Sequence, residues 1–343
     1  MDTTELLEPF ERLLLDIAPG ERIRGIERGE SAAGVWAALE ESGFLNGLVR
    51  ESSGGAGLAL TQMAALFQAA GRHLLPVPFA ETVIARALLT DAGMTLPAGP
   101  IVLVSCTAVG PGYGARAVPL ALTAEHALVE LGGRCVLTPL SNTRLTPTGV
   151  YGSLAADLAW QSHPEQLGEV RIAPGAIRAL AAIIRATQIA GAADRLLERT
   201  VAYATERVQF GKPIGKQQAI QQQLAVMAEQ AVMARMAAQI GCGGGYPPRP
   251  AAAAIAKSVA SAAAMTIAAI AHAVHGAIGI SDEYDLGRYV RCLHEWRIAD
   301  GSETYWTTRL AAQRVACLTA GSVDFVRAAL EPGEPAPGPV PDL

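Results

Sequence analysis

Apolar residues recur at helical spacing along the first part of the chain. Leu6, Leu7, Phe10, Leu13, Leu14 and Ile17 predict an amphipathic helix over 5–17. A second helix is expected over 34–43, before a break at Ser52-Ser53-Gly54-Gly55-Ala56-Gly57. Two more apolar helices are expected over 61–71 and 81–93, separated by Pro76 and Pro78. From 97 to about 174 the texture changes to short apolar runs bounded by Gly and Pro. Those at 101–104, 127–131 and 134–137 predict strands of a small antiparallel sheet or barrel. Beyond Pro174 the pattern returns to helix in long pieces, over 177–208, 217–240, 250–274 and 303–330. In the second of these, Ile220, Leu224, Met227, Ala231 and Ala234 make one stripe. Four long helices with short connections predict a bundle. The expected organisation is a helical region over 1–96, a reduced β domain over 97–173, a four-helix bundle over 174–330 and a flexible Pro/Gly-rich tail over 331–343.

Composition narrows the functional classes. Half of the 343 residues are apolar, 17% are charged and aromatics are few. Alanine and leucine abundance favours close-packed helices over strands. A net charge of -5 with no basic stripe argues against a nucleic-acid partner. The acidic start Met1-Asp2-Thr3-Thr4-Glu5 lacks the layout of a signal peptide. The apolar stretch 250–271 is mostly alanine and holds Lys257, Ser258 and Ser261, which suits a buried helix better than a membrane span. Five scattered cysteines without CxxC spacing read as reduced thiols, so a cytoplasmic location is expected.

Several candidate motifs carry little chemistry. Gly110-Pro111-Gly112-Tyr113-Gly114 lacks the strand-before, helix-after context of a dinucleotide loop and reads as a plain loop. His272 and His275 could share a helix face, but no third ligand joins them, so no metal is expected. No G-x-S-x-G elbow is present. In Arg207-Val208-Gln209-Phe210-Gly211-Lys212-Pro213-Ile214-Gly215 a helix is broken and then resumes. The break could cradle a diphosphate between Arg207, Lys212 and freed backbone groups, or it could be an ordinary interhelical turn. A second stretch runs from His275-Gly276-Ala277-Ile278-Gly279 to Trp296-Arg297-Ile298-Ala299-Asp300-Gly301-Ser302-Glu303. Its glycines would let a ligand approach the backbone. Asp300 and Glu303 sit where carboxylates ordinarily cap a helix.

Taken together these segments resemble the acyl-CoA dehydrogenase superfamily. Arg207 to Ile214 followed by Gln218-Ala219-Ile220-Gln221 is similar to its R-x-x-F-G-x-x-I…Q-x-I-Q segment. His275-Gly276-Ala277-Ile278-Gly279 is similar to its Q-x-H-G-G-x-G segment. Phe44-Leu45-Asn46-Gly47-Leu48-Val49, then Gly54-Gly55-Ala56-Gly57-Leu58, is similar to its N-terminal glycine pattern. The resemblance runs in order from about residue 1 to 330. It implies an N-terminal helical domain, a β middle domain and a C-terminal four-helix bundle, with FAD shared across a subunit interface. Arg207 would contact the FAD diphosphate of a neighbouring chain, with Phe210 and Gln218 nearby, and His275 and Gly276 would flank the same dinucleotide.

The implied chemistry is α,β-desaturation of an acyl-CoA thioester, as in fatty acid or sterol side-chain β-oxidation. A carboxylate removes the α-proton while the β-hydrogen leaves as hydride to flavin N5. The family base lies in E-G-T-S-E. In ungapped register Asp300 takes its place, followed by Gly301 and Ser302, the last a further FAD contact. Aspartate is one methylene shorter, which sets its oxygens back by roughly 1–1.5 Å. A gap of one residue would make Glu303 the base instead, and Asp300 ranks ahead of it. The position at which another family branch carries its base is Ala181. Other departures are Ala273 and Ala277 in the histidine motif, Val49-Arg50 for V-P, and a middle domain without a T-E-P-x-x-G-S-D-like segment. Short members of this kind resemble chains that pair with a longer homologue as an α2β2 heterotetramer, with a homodimer as the alternative. The corresponding alternative to a catalytic role is a non-catalytic partner subunit lending FAD contacts and structure to a catalytic homologue.

Overall fold

A computed structural model describes residues 3–243, 246, 248–281, 284–317 and 321–330; the tail expected over 331–343 lies outside the described residues. The chain is mainly α with a small β region, in the helical, β, helical order that the hydrophobic pattern predicts. The N-terminal helices are α1 (Thr3–Ile17), α2 (Gly20–Glu27), α3 (Ala33–Ser42), α4 (Leu60–Arg72) and α5 (Phe79–Asp91). Phe10, Phe44, Phe67 and Phe79 form a connected set of ring contacts at their centre. Helix α2 was not predicted. Only Ile23, Gly25 and Ile26 of it are buried, too few to make an apolar stripe in the sequence.

The middle region holds eight strands: β1 (Ile101–Ser105), β2 (Thr107–Val109), β3 (Gly112–Val118), β4 (His126–Leu131), β5 (Arg134–Pro139), β6 (Arg144–Pro147), β7 (Ala156–Trp160) and β8 (Gly168–Arg171). They form two four-stranded sheets, ordered β1-β4-β5-β8 and β2-β3-β7-β6. One pairing departs from the antiparallel expectation, because β1 runs parallel to β4. Strands β1, β4 and β5 of the first sheet are buried on both faces. Val102, Val104, Val129 and Val136 meet the second sheet, while Ile101, Leu103, Leu128 and Leu137 join the helical core. Gly110 and Pro111 form the turn of the β2–β3 hairpin.

The C-terminal helices are α6 (Ala176–Glu206), α7 (Gln218–Gly243), α8 (Pro250–His275), α9 (Leu286–Ile298), α10 (Glu303–Ala316) and α11 (Ser322–Leu330). Between α6 and α7 lies a two-residue hairpin, β9 (Val208–Gln209) with β10 (Lys212–Pro213). Helices α6, α7, α8 and α9 bury a shared alanine-rich seam with Leu196, Ile267 and Leu293 in it. The helix expected over 303–330 is in two pieces, α10 and α11. Helix α9, unassigned from sequence, packs against both α6 and α8. Its arginines hid it: Arg288 and Arg291 pair with Glu27 of α2, while the Asp285 carboxylate just before it meets Arg24 and Arg199.

Helix α6 is the spine of the molecule, and most of its first half is buried. It and α8 are long and apolar enough to cross a membrane, and 94% of the most apolar stretch of α6 is buried inside the protein. Its N-terminus is held by Glu130 of β4, whose carboxylate accepts from the backbone N–H groups of Gly175 and Ile177, an arrangement favoured at the positive end of a helix. Helix α4 crosses α6 at backbone contact: a Cβ on Gly191 would lie 1.9 Å from the Gln68 carbonyl oxygen, and one on Gly71 would lie 2.3 Å from that of Gln188. Gly191→Ala should therefore lower stability by about 1–3 kcal/mol or more, since neither backbone can yield cheaply. Gly243→Ala, with open space around the added methyl, should be neutral or stabilising. Urea unfolding of the two variants checks the contrast.

Candidate active site

The predicted base, Asp300, lies in the turn joining α9 to α10. Its backbone is left-handed (φ 58°), a conformation a short polar side chain tolerates better than most, and Gly301 follows at φ 102°. A Cβ on Gly301 would come within 2.5 Å of the Tyr305 ring and 2.7 Å of Trp306 Nε1, so glycine is required there. Three bonds fix the turn. Trp306 Nε1 donates to the Asp300 carbonyl at 3.0 Å, Lys257 Nζ donates to the Gly301 carbonyl at 2.9 Å, and Ser302 Oγ accepts from the Tyr305 N–H as the cap of α10.

The Asp300 side chain is 14% exposed and meets a buried guanidinium. Arg185 of α6 donates from Nε to Asp300 Oδ2 at 3.2 Å and from a terminal nitrogen to Gln188 at 2.6 Å. Its other terminal nitrogen lies 2.5 Å from Glu81 of α5, which is fully buried. Burial opposes the charge on Arg185, but Glu81 and Asp300 outweigh it and hold the guanidinium above its ordinary range. One buried cation is thus shared by two carboxylates.

Asp300 and Gly301 open onto a cavity of about 300 Å³ between the β region and the bundle. Leu103, Val104 and Ser105 of β1, residues 115–118 of β3 with Pro119, and Arg178 and Tyr305 complete its lining. Arg178 donates to the Tyr305 hydroxyl at 2.6 Å, and the Arg178 and Arg309 guanidiniums both lie over the Tyr305 ring. Asp300 is the acid among the lining residues. Glu303 is placed differently: it binds Arg297, does not line the cavity, and is held below the ordinary carboxylate range because Arg297 outweighs burial.

The residues expected to contact a cofactor gather elsewhere. Arg207 ends α6, Gln218 begins α7, and both are exposed. Phe210 sits at the tip of the β9–β10 hairpin, 93% exposed, and both it and Gly211 have positive φ. An apolar ring held outward on a strained backbone is a functional signal. His275 and Gly276 end α8. Ala204, Ile214 and Val274, with Tyr203, Ile220 and Leu224, tie these helix ends together. His275 stacks on Tyr203 at 4.4 Å between centroids, and its Nδ1 meets the Ala271 carbonyl at 2.8 Å. Burial pulls this imidazole below its ordinary range, against that carbonyl. Its Nε2 is a buried acceptor with no partner. An aromatic face, an orphaned ring nitrogen, an arginine and the N-terminus of a long helix suit an anionic dinucleotide. Ser302 is not among them. It lies beside Asp300, near Lys257, and 18 residues of α8 separate Lys257 from His275, or about 27 Å.

Sequence reading missed Arg185, Glu81, Lys257, Arg178 and Tyr305. The available signal was a lone charge in an apolar helix, Arg185 within Ala-Ile-Ile-Arg-Ala and Lys257 within Ala-Ile-Ala-Lys-Ser, which implies a buried partner. Among the described residues no cluster of three potential metal ligands is present. Arg185→Met should cost about 3–5 kcal/mol by leaving Glu81 buried without its counter-charge. Glu81→Gln combined with Arg185→Met should recover a large part of that loss in urea unfolding.

Comparison with known proteins identifies the family and the fold. Residues 179–315 match the family described as acyl-CoA dehydrogenase, C-terminal domain. The acyl-CoA dehydrogenase IpdE2 of Mycobacterium tuberculosis is 31% identical over 76% of this chain and 80% of its own length. IpdE2 of Mycolicibacterium smegmatis is 28% identical over 76% and 81%. Among solved structures, the ChsE4–ChsE5 complex from M. tuberculosis superposes with a TM-score of 0.77 at 20% identity, covering 94% of this chain and all of the matched one. Butyryl-CoA dehydrogenase from Megasphaera elsdenii gives 0.71 at 17% identity, covering 92% and 99%. The chain belongs to the acyl-CoA dehydrogenase family.

Proposed function

We propose that this chain takes part in FAD-dependent α,β-dehydrogenation of an acyl-CoA thioester, with Asp300 as the base that removes the α-proton. The observation that carries this reading is the place of Asp300, the acid on the wall of the cavity between the β region and the bundle. Arg185 Nε donates to Asp300 Oδ2 and so orients the carboxylate, while Glu81 shares the same guanidinium. The fixed turn beneath it supports a defined approach to a proton, which a general base needs within about 3 Å. FAD, when bound, supplies the hydride acceptor.

His275 lies about 27 Å along α8 from Lys257, which binds the turn that carries Asp300. We infer that Arg207, Phe210, Gln218, His275 and Gly276 serve a cofactor seated mainly on another chain, while Ser302 stands beside this chain's own reaction centre. Two half-sites on one chain favour a two-fold assembly with a longer homologue, as α2β2. The likeness to a chain of the ChsE4–ChsE5 complex supports a partner of the same family. A second reading, a non-catalytic partner subunit, draws on the Arg185–Asp300 pair itself, since a carboxylate oxygen engaged by a buried guanidinium is not free to meet a substrate.

Asp300→Asn separates the two. In the FAD-loaded assembly, single-turnover bleaching of the flavin by acyl-CoA should slow by about 10²–10⁴-fold, the usual worth of a general base, with FAD content unchanged. An unaltered rate would assign the chain to the supporting role. Arg207→Ala should weaken FAD binding by roughly 10- to 100-fold, through loss of a charge-assisted contact worth about 1.5–3 kcal/mol. Equilibrium dialysis of FAD against the variant assembly checks it.

A further inference from the structure

Lys257 is an ionisable side chain on the most alanine-rich helix of the molecule, and none of its surface is exposed. Its ammonium donates to three oxygens, the Arg297 carbonyl at 2.7 Å, the Gly301 carbonyl at 2.9 Å and Ser261 Oγ at 3.0 Å. Ser261 in turn donates to the Arg297 carbonyl at 3.2 Å. An ammonium carries three N–H groups and no acceptor, so the three oxygens match it one for one. Two of them are backbone carbonyls that flank Asp300, one in the last turn of α9 and one immediately after the aspartate.

Those carbonyls matter because the backbone between them is left-handed at both Asp300 and Gly301. A non-glycine residue keeps such a conformation only when its surroundings over-determine it. Trp306 supplies one restraint through the Asp300 carbonyl, the Ser302 cap a second, and Lys257 two more.

We infer that Lys257 is a positioning residue: by pinning the turn on both sides of Asp300 it fixes where the base's carboxylate stands against the cavity. This rests on the reading of Asp300 as the base. The charges facing the ammonium are Asp300 from the turn, Arg185 from α6, Arg297 from α9 and Glu303 from α10. Burial, joined by the two arginines and opposed by the two acids, pushes Lys257 down to about 7. Below that pH all three oxygens have a donor. Above it the neutral amine has two N–H groups for three acceptors, and its bonds to the two carbonyls lose the charge that strengthens them, so the hold on the turn weakens.

The test compares wild type, Lys257→Met and Asp300→Asn in the FAD-loaded assembly. Two quantities are read: hydrogen exchange of peptides covering residues 296–306, and single-turnover flavin reduction across a pH series. The acyl-CoA is the one that bleaches the wild-type flavin fastest among butanoyl-, octanoyl-, isobutanoyl- and phenylpropanoyl-CoA. Lys257→Met should speed exchange in that segment several-fold and slow reduction by about 10- to 100-fold, the scale expected for a misplaced catalytic group, with FAD content and KM unchanged. The wild-type rate should also fall as pH rises through about 7, and this limb should vanish in Lys257→Met. Asp300→Asn should slow reduction by about 10²–10⁴-fold without changing exchange. Exchange and rate both at wild-type values in Lys257→Met would overturn the inference alone. Loosened exchange in Lys257→Met beside full activity in Asp300→Asn would refute the base assignment, and the positioning role with it. Should Lys257→Met fail to fold, Ser261→Ala decides: loss of one acceptor should move the descending limb to lower pH, and an unmoved limb would overturn the inference.

Discussion

A single guanidinium inside the protein ties the N-terminal helices to two elements of the C-terminal bundle. Arg185 stands on the spine helix α6, pairs with Glu81 of the N-terminal region and holds Asp300 at the end of α9, with only 1% of its surface exposed. An unpaired charge at that depth would cost several kcal/mol, so the three elements must arrive together. The close crossing of α4 and α6 at Gly71 and Gly191 brings the N-terminal helices within reach, and Glu130 of β4 sets the start of α6. The cavity wall formed by β1 and β3 then faces Asp300 as a consequence of how α6 is seated.

The two regions of chemical interest occupy opposite ends of the bundle. At one end the backbone is held tightly, with Asp300 and Gly301 in left-handed conformations under Trp306 and Lys257. At the other, Phe210 projects almost fully exposed and His275 Nε2 is left without a partner, both of which suit a surface completed by another molecule. A self-contained active site would bring these groups together within one chain. Their separation along α8 is the strongest structural argument for a cofactor site assembled from two chains.

How much of this was legible in the sequence depended on burial. The long helices α6, α7 and α8 were readable from apolar stripes or alanine-rich runs, and strands β1, β4 and β5 because nearly all their positions are buried. Strands β2, β3, β6 and β7 were not: β2 is exposed along its length, and β6 has one partly buried position among exposed ones. Helices α2 and α9 were hidden by Arg24, Glu27, Arg288 and Arg291, charges that pair internally although charged residues ordinarily signal solvent. Asp300 could be nominated through the resemblance because a motif preserves its order along the chain. Its partners could not, since Glu81, Arg185 and Lys257 reach it from distant parts of the chain and carry no local spacing. Ser302 was grouped with the cofactor contacts from sequence, and the fold sets it beside Asp300.

The central claim is that this chain holds two half-sites, each completed by another chain. Native mass spectrometry with flavin quantitation tests it most directly, on the protein expressed alone and on the complex purified with a longer homologue from the same source. The account predicts little or no FAD on the chain alone, and a two-fold hetero-assembly with fewer FAD molecules than chains when the homologue is present. One tightly bound FAD per chain, with full dehydrogenase activity, in the protein expressed alone would contradict it.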